Sequence, residues 1–200
     1  QEAPVLRVLY RKIGELDALM AMASFRRGLR RMTKPVFVSE PKYFKVENIT
    51  HPLLTKGVPN SLEMTGGNVV ITGSNMSGKS TFLRTLSTGA VLAQTFYTVP
   101  ADSYTASFFN ILTSISPSDN LIEGKSYYMA EAEALLRMVQ TLDENRTSLL
   151  MIDEIFRGTN PIERVAAASS LLSYLARHNT MVIVATHDIE ITQKVADQYT

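Results

Sequence analysis

Three apolar runs from Asn68 onward, inside "NVVIT", "SLLMID" and "TMVIVAT", show no alternation of polar and apolar residues. A strand with one face in water alternates. A strand covered on both faces does not, and such strands belong to parallel sheets flanked by helices. Stretches with helical spacing lie between the runs, at about residues 78–94, 126–143 and 161–178. Strand and helix thus take turns, which predicts a doubly wound α/β domain around a mostly parallel central sheet. Two shorter β-like runs, "VFVSE" and "YFKVENI", come before it, with a loop region around "HPLLTKGVPN" after them.

At the start of the chain Leu6, Leu9, Ile13, Leu16, Met20 and Ala23 recur at steps of three and four, the mark of a long amphipathic helix. It closes in "FRRGLRRMTK". There Arg26, Arg27, Arg30, Arg31 and Lys34 read as a solvated helix end favoured by the dipole, in preference to a DNA contact. Pro35 breaks the pattern, so the sequence divides into a helical appendage over 1–34 and the α/β domain over 35–200.

The totals fit one such domain. With 45% hydrophobic and 20% charged residues the composition is that of an ordinary globular chain, and a net charge of +1 favours neither nucleic acid nor membrane as partner. There is no cysteine, which excludes disulfides and thiolate metal sites and leads us to expect a cytoplasmic home. No apolar run approaches the roughly 18 residues needed to span a bilayer. The opening, "QEAPVLRVLYRKIGELD", is charged throughout, unlike a secretory leader, and lacks an initiator methionine, so we expect a piece of a longer protein.

The chemistry gathers behind the first apolar run. Gly73, Gly78, Lys79 and Ser80 fit G-x-x-x-x-G-K-[ST], between a strand and a helix as a phosphate-binding loop requires. Glycines let backbone amides approach phosphate oxygens, and the N-terminus of the following helix adds unpaired N–H groups and a positive dipole end. Gly73, Ser74, Asn75, Met76, Ser77, Gly78, Lys79, Ser80 and Thr81 are therefore the expected nucleotide-binding set. Lys79 is expected to reach the β- and γ-phosphates and to serve catalysis, with the Ser80 hydroxyl ligating Mg²⁺.

Asp153 closes the second apolar run, which puts a carboxylate at the carboxyl edge of the sheet, where ligands of such folds bind. It is the second expected Mg²⁺ ligand, and the adjacent Glu154 is placed to polarise an attacking water. The third run ends in His187-Asp188. His187 is expected near the γ-phosphate, to sense it or position the water, although a histidine after a strand is by itself more often structural. In "RGTNPIE", Asn160, Pro161 and Glu163 make a strong helix start, and capping alone accounts for Pro161 and Glu163. "IEGKSYYMAEAEALLRMV" opens another helix after Gly124, leaving Lys125 and Ser126 at an anion-attracting end.

With these motifs in place the chain resembles the ATPase domain of the MutS family of DNA mismatch-repair proteins. "TGSNMSGKSTFLR" is similar to the family's T-G-P-N-M-x-G-K-S-T, "DEIFRGT" to its D-E-x-G-R-G-T, and "ATHDIE" to its A-T-H segment. "VPADSYT" and "SPSDNLIEGKSYYMAE" keep the family's order, the latter resembling G-R-S-x-F-M-x-E, and "IGELDALMAMASFRRGL" looks like the end of its lever helix. The resemblance implies a P-loop NTPase domain of ABC type that hydrolyses ATP with Mg²⁺ as a homodimer. Each site would be completed across the interface by Ser126, Thr159 and Asn160 of the other subunit. It also implies mismatched or branched DNA, held by domains outside this fragment, as a partner, and a downstream repair protein as another.

The chain departs from the family at Ser74 for a proline, Phe156 for a glycine, Lys125 for an arginine, and at Tyr127-Tyr128. The segment before the loop, where the family stacks adenine on an aromatic ring, has no Phe, Tyr or Trp, which leaves Val58 or His51 to substitute. These differences indicate a divergent MutS-like branch. Two readings are open: a hydrolysing ATPase that switches a DNA clamp, and an ATP-gated dimerisation module without mismatch recognition. An ABC transporter ATPase is disfavoured by the lack of an L-S-G-G-Q-type run, and a Ser–His–Asp hydrolase by the lack of a nucleophile motif.

Overall fold

The computed structural model describes residues 3–74, 76–115, 127–156 and 159–200. The expectations placed on Asn75, Lys125, Ser126, Arg157 and the Tyr127 and Tyr128 side chains lie outside what is described. The elements run α1 (Ala3–Gly28), β1 (Val36–Phe37), β2 (Tyr43–Ile49), β3 (Asn60–Thr65), β4 (Val69–Thr72), α2 (Lys79–Phe96), β5 (Ser103–Ala106), β6 (Asn110–Ile115), α3 (Tyr127–Gln140), β7 (Ser148–Asp153), α4 (Pro161–Ala176), β8 (Thr180–Thr186) and α5 (Ile189–Lys194).

The apolar runs form the parallel sheet they predict, in the order β4-β8-β7-β6. Every residue of β7 and β8 is buried, as a lack of alternation requires. Successive side chains point to opposite faces. Leu149, Met151, Met181 and Ile183 therefore join one core with Leu83 and Leu86 of α2, while Leu150, Ile152, Val182 and Val184 pack with Leu172 of α4 and Leu135 of α3. Helices cover both faces, so the α/β fold is wound as expected.

A second sheet, of order β1-β5-β2-β3, is mainly antiparallel, and the sequence does not signal it as a unit. It closes over the far side of α2. Phe44, Val46 and Ile49 enter the same core as Leu83 and Leu86, so α2 is sandwiched between the two sheets. Gly89 makes that approach possible: a Cβ there would stand 2.5 Å from the Cδ1 of Ile49. Three strands lack a continuous apolar run. β3 and β6 each pair with a single neighbour and keep exposed or half-buried residues, and β5 is only four residues long. "VFVSE" yields only two strand residues before the chain turns at Pro41.

α1 is helical over 26 residues as its periodicity predicts, yet its apolar stripe faces outward, with Leu9, Ile13, Leu16 and Met20 all more than half exposed. The basic cluster at its end is not simply solvated. Arg26 donates to the Phe96 carbonyl (3.0 Å) and the Thr98 hydroxyl (2.7 Å), and Arg31 forks onto Asp102. Arg31, and then Asn48, hold the Asp102 carboxyl below its ordinary value. Thr33 exchanges backbone bonds with Val99. These contacts tie the end of the appendage to the domain. Among the described residues no helix is long and apolar enough to cross a membrane.

Candidate active site

Strand register builds the site. Thr72 of β4 faces Thr186 of β8, and Asp153 of β7 faces Ala185, so the three strands end within one residue of each other. β8 lies between the loop-bearing strand and the acid-bearing strand, so the His187-Asp188 turn at its end emerges between them. Loop, acids and His187 thus meet at one carboxyl edge, as such sheets place ligands.

The chain leaves β4 through residues 73–78 and enters α2. Gly78 caps the helix at φ 95°, ψ 8°, a left-handed conformation that strains any residue with a Cβ. At Gly73, also at positive φ, a Cβ would fall 2.8 Å from the Ser77 hydroxyl, which would have to turn aside. Ser74 and Met76 lie on its exposed side, with Met76 also at positive φ. Lys79 is buried, and its ammonium donates to the carbonyls of Gly73 (2.7 Å) and Ser74 (2.9 Å), which holds the cation against the loop. Thr81, in the first turn of α2, is exposed.

Ser80, next along, donates its hydroxyl to Oδ1 of the buried Asp153 at 3.0 Å. A hydroxyl and a carboxylate at this spacing are a hard-oxygen pair suited to Mg²⁺, which usually completes its shell with waters and substrate phosphates. The described residues hold no group of three or more His, Cys, Asp or Glu able to take a metal alone. The pair fits a metal that arrives with a phosphate ligand.

Glu154 leaves β7 at φ 58°, its N–H donating to the Ala185 carbonyl of β8 at 2.8 Å. Its Oε1 lies 3.0 Å from Nδ1 of His187. An ionised carboxylate only accepts, so the shared hydrogen sits on Nδ1. Asp188 fixes this turn in ways the sequence does not signal. Its N–H donates to the Thr186 hydroxyl, its Oδ1 caps α5, and its Oδ2 takes both Nε (3.2 Å) and Nη2 (2.9 Å) of Arg164. Arg164 belongs to α4, where a lone arginine in a helical pattern carries no sequence mark. Asn160 caps that helix, its side-chain oxygen accepting from the Glu163 N–H at 3.0 Å, and the Thr159 hydroxyl donates to the Glu163 carboxylate.

A cleft of about 570 Å³ opens beside the loop. His51, Lys56, Val58 and Asn60 line one part of it and Gly73, Ser77, Gly78 and Lys79 another. His51 and Val58, expected to replace a missing aromatic ring, both line this cleft, and Phe82 of α2 joins them. Phe82 comes after the loop in sequence, outside the segment where an aromatic ring is expected. A smaller recess of about 290 Å³ lies against Glu154, Arg164 and His187.

Residues 69–200 match the model of MutS domain V. The chain belongs to the MutS family. The DNA mismatch repair protein MutS of Thermus thermophilus is 37% identical over 198 residues, 96% of this chain. Those of Bacillus pumilus and Petrotoga mobilis are 36% and 34% identical over 94% and 92% of it. The MutS-family chain spans 23% of the length of each of these relatives. Every motif from Gly73 to His187 falls inside the matched domain V, and α1 lies upstream of it.

Proposed function

We propose that this MutS domain V is a P-loop ATPase of ABC type that binds and hydrolyses MgATP, and that a longer MutS-like parent uses it to switch a dimeric DNA clamp. One observation carries the reading: Lys79, the Ser80–Asp153 pair and the Glu154–His187 pair meet at one sheet edge, on a loop shaped by Gly73 and Gly78. The loop amides and the α2 N-terminus receive the phosphates, and Lys79 exchanges its carbonyl contacts for phosphate oxygens. Ser80 and Asp153 hold Mg²⁺, which neutralises phosphate charge when bound. Glu154 takes a proton from the attacking water, and His187 fixes the carboxylate that does so. The purine lies in the cleft between His51, Val58 and Phe82, whose size suits a nucleotide.

The reading extends to a homodimer in which Ser126, Thr159 and Asn160 complete the partner's site. A clamp driven by nucleotide needs two states of different affinity for ATP, and a site shared between subunits supplies the difference. DNA contact and any downstream repair protein are assigned to the parent beyond these residues. Phosphate release from MgATP by the 200-residue chain tests the enzyme reading, with Glu154→Gln as its control. No turnover in either chain, with ATP still driving dimerisation, would leave only the gated module. Tight mismatch-selective binding of DNA by these residues alone would overturn the assignment of DNA to other domains.

A further inference from the structure

Glu131 of α3 is 4% exposed, a carboxylate in the protein interior. Its Oε1 accepts the backbone N–H of Phe156 at 2.6 Å. Phe156 stands two residues beyond Glu154, and both have φ 58°. Left-handed backbone is costly for residues with a Cβ and persists only where the surroundings hold it. Here three elements hold it. β8 takes the Glu154 N–H at the Ala185 carbonyl, the core buries Ile155, and α3 takes the Phe156 N–H through Glu131. Glycine would adopt this conformation freely. Phenylalanine does not, so in this chain the turn depends more on its restraints.

We propose that Glu131 is a positioning residue: its carboxylate fixes the turn 154–156 and thereby the direction in which Glu154 faces the attacking water. The consequence for turnover rests on the reading of Glu154 as the water-activating base. Because Glu131 lies in the first turns of α3, a shift of that helix is passed to Glu154 through the Glu131–Phe156 hydrogen bond.

The test compares Glu131→Met, which keeps the volume and removes the acceptor, with Glu131→Gln, which keeps an oxygen for the same N–H. The full chain is used, and MgATP turnover, MgATP affinity, melting temperature and hydrogen exchange of the Phe156 amide are measured. Glu131→Met is expected to lower kcat by about tenfold to a hundredfold, the scale of a small misplacement of a reacting group. MgATP affinity stays within about twofold, Phe156 exchanges faster, and Glu131→Gln restores both readouts because its amide oxygen accepts as the carboxylate does. If the methionine variant does not fold, Glu131→Asp, shorter by one methylene, makes the same comparison. Unchanged exchange at Phe156 overturns the proposal. So does a glutamine variant as impaired as the methionine one, or a kcat loss matched by an equal loss of affinity. Faster exchange in a chain whose Glu154→Gln variant still turns over would uphold the clamp and remove instead the role given to Glu154.

Discussion

His187 and Glu154, the first residues beyond β8 and β7, hold each other at 3.0 Å, Nδ1 to Oε1. β7 and β8 are neighbours in register, so the pair is set by the sheet and not by a flexible loop. Glu154→Gln is expected to cut ATP turnover at least about a hundredfold, the usual worth of a general base, with MgATP affinity retained. His187→Ala should cost less, about tenfold, because it loosens the carboxylate without removing it. Steady-state phosphate release alongside titration with a fluorescent ATP analogue checks both. A His187→Ala defect confined to affinity would move that residue to the binding set.

Lys79 and Ser80 are adjacent, yet their side chains go to the loop carbonyls and to Asp153 respectively. Their losses should therefore differ. Lys79→Met is expected to weaken ATP binding by about tenfold to a hundredfold, the worth of a charge-assisted bond to phosphate, with or without magnesium. Ser80→Ala should bind nucleotide alone almost normally and lose the gain that Mg²⁺ brings. Calorimetric titration with and without EDTA separates the two.

Arg164 spans from α4 to the turn after β8, with its side chain 23% exposed and that of Asp188 11%. Removing the arginine leaves a largely buried carboxylate with less compensation. Arg164→Ala is expected to destabilise the chain by about 1–3 kcal/mol, lowering the melting point by about 2–4 °C per kcal/mol for a chain of this size. Thermal melts followed by circular dichroism report it, and Asp188→Asn should lose less because the caps it makes survive.

Gly89 packs α2 against the second sheet. Alanine is the better helix former by up to about 1 kcal/mol, but its Cβ would meet the fully buried Ile49 Cδ1 at 2.5 Å. Overpacking of this kind costs about 1–3 kcal/mol, so Gly89→Ala should destabilise on balance. Adding Ile49→Val, which lacks Cδ1, should recover part of the loss, and denaturant melts of both variants measure that coupling.

Local chemistry makes much of this protein legible. Unalternating Val, Ile, Leu and Met in β4, β7 and β8 can be satisfied only by cover on both faces, so the parallel sheet is written in residue order alone. Gly73, Gly78, Lys79 and Ser80 stand out by their spacing between a strand and a helix, and Asp153 by its place at the end of a buried run. Asn160 and Pro161 announce α4 because capping is satisfied within four residues.

Tertiary structure alone decided the relations between distant segments. The order β4-β8-β7 sets His187 between loop and acids, and the side of α2 facing the second sheet is set by Ile49 meeting Gly89. The inward turn of Arg26 and Arg31 depends on partners at Phe96, Thr98 and Asp102, some 70 residues away. Arg164 carries no pattern in its own helix, and the place of Glu131 at the end of "SYYMAE" does not say which group it meets, since a polar side chain is justified by its partner and not by its neighbours in sequence. Periodicity and motif spacing report needs met within a few residues; burial of a charge is decided only when the chain has folded back to supply its partner.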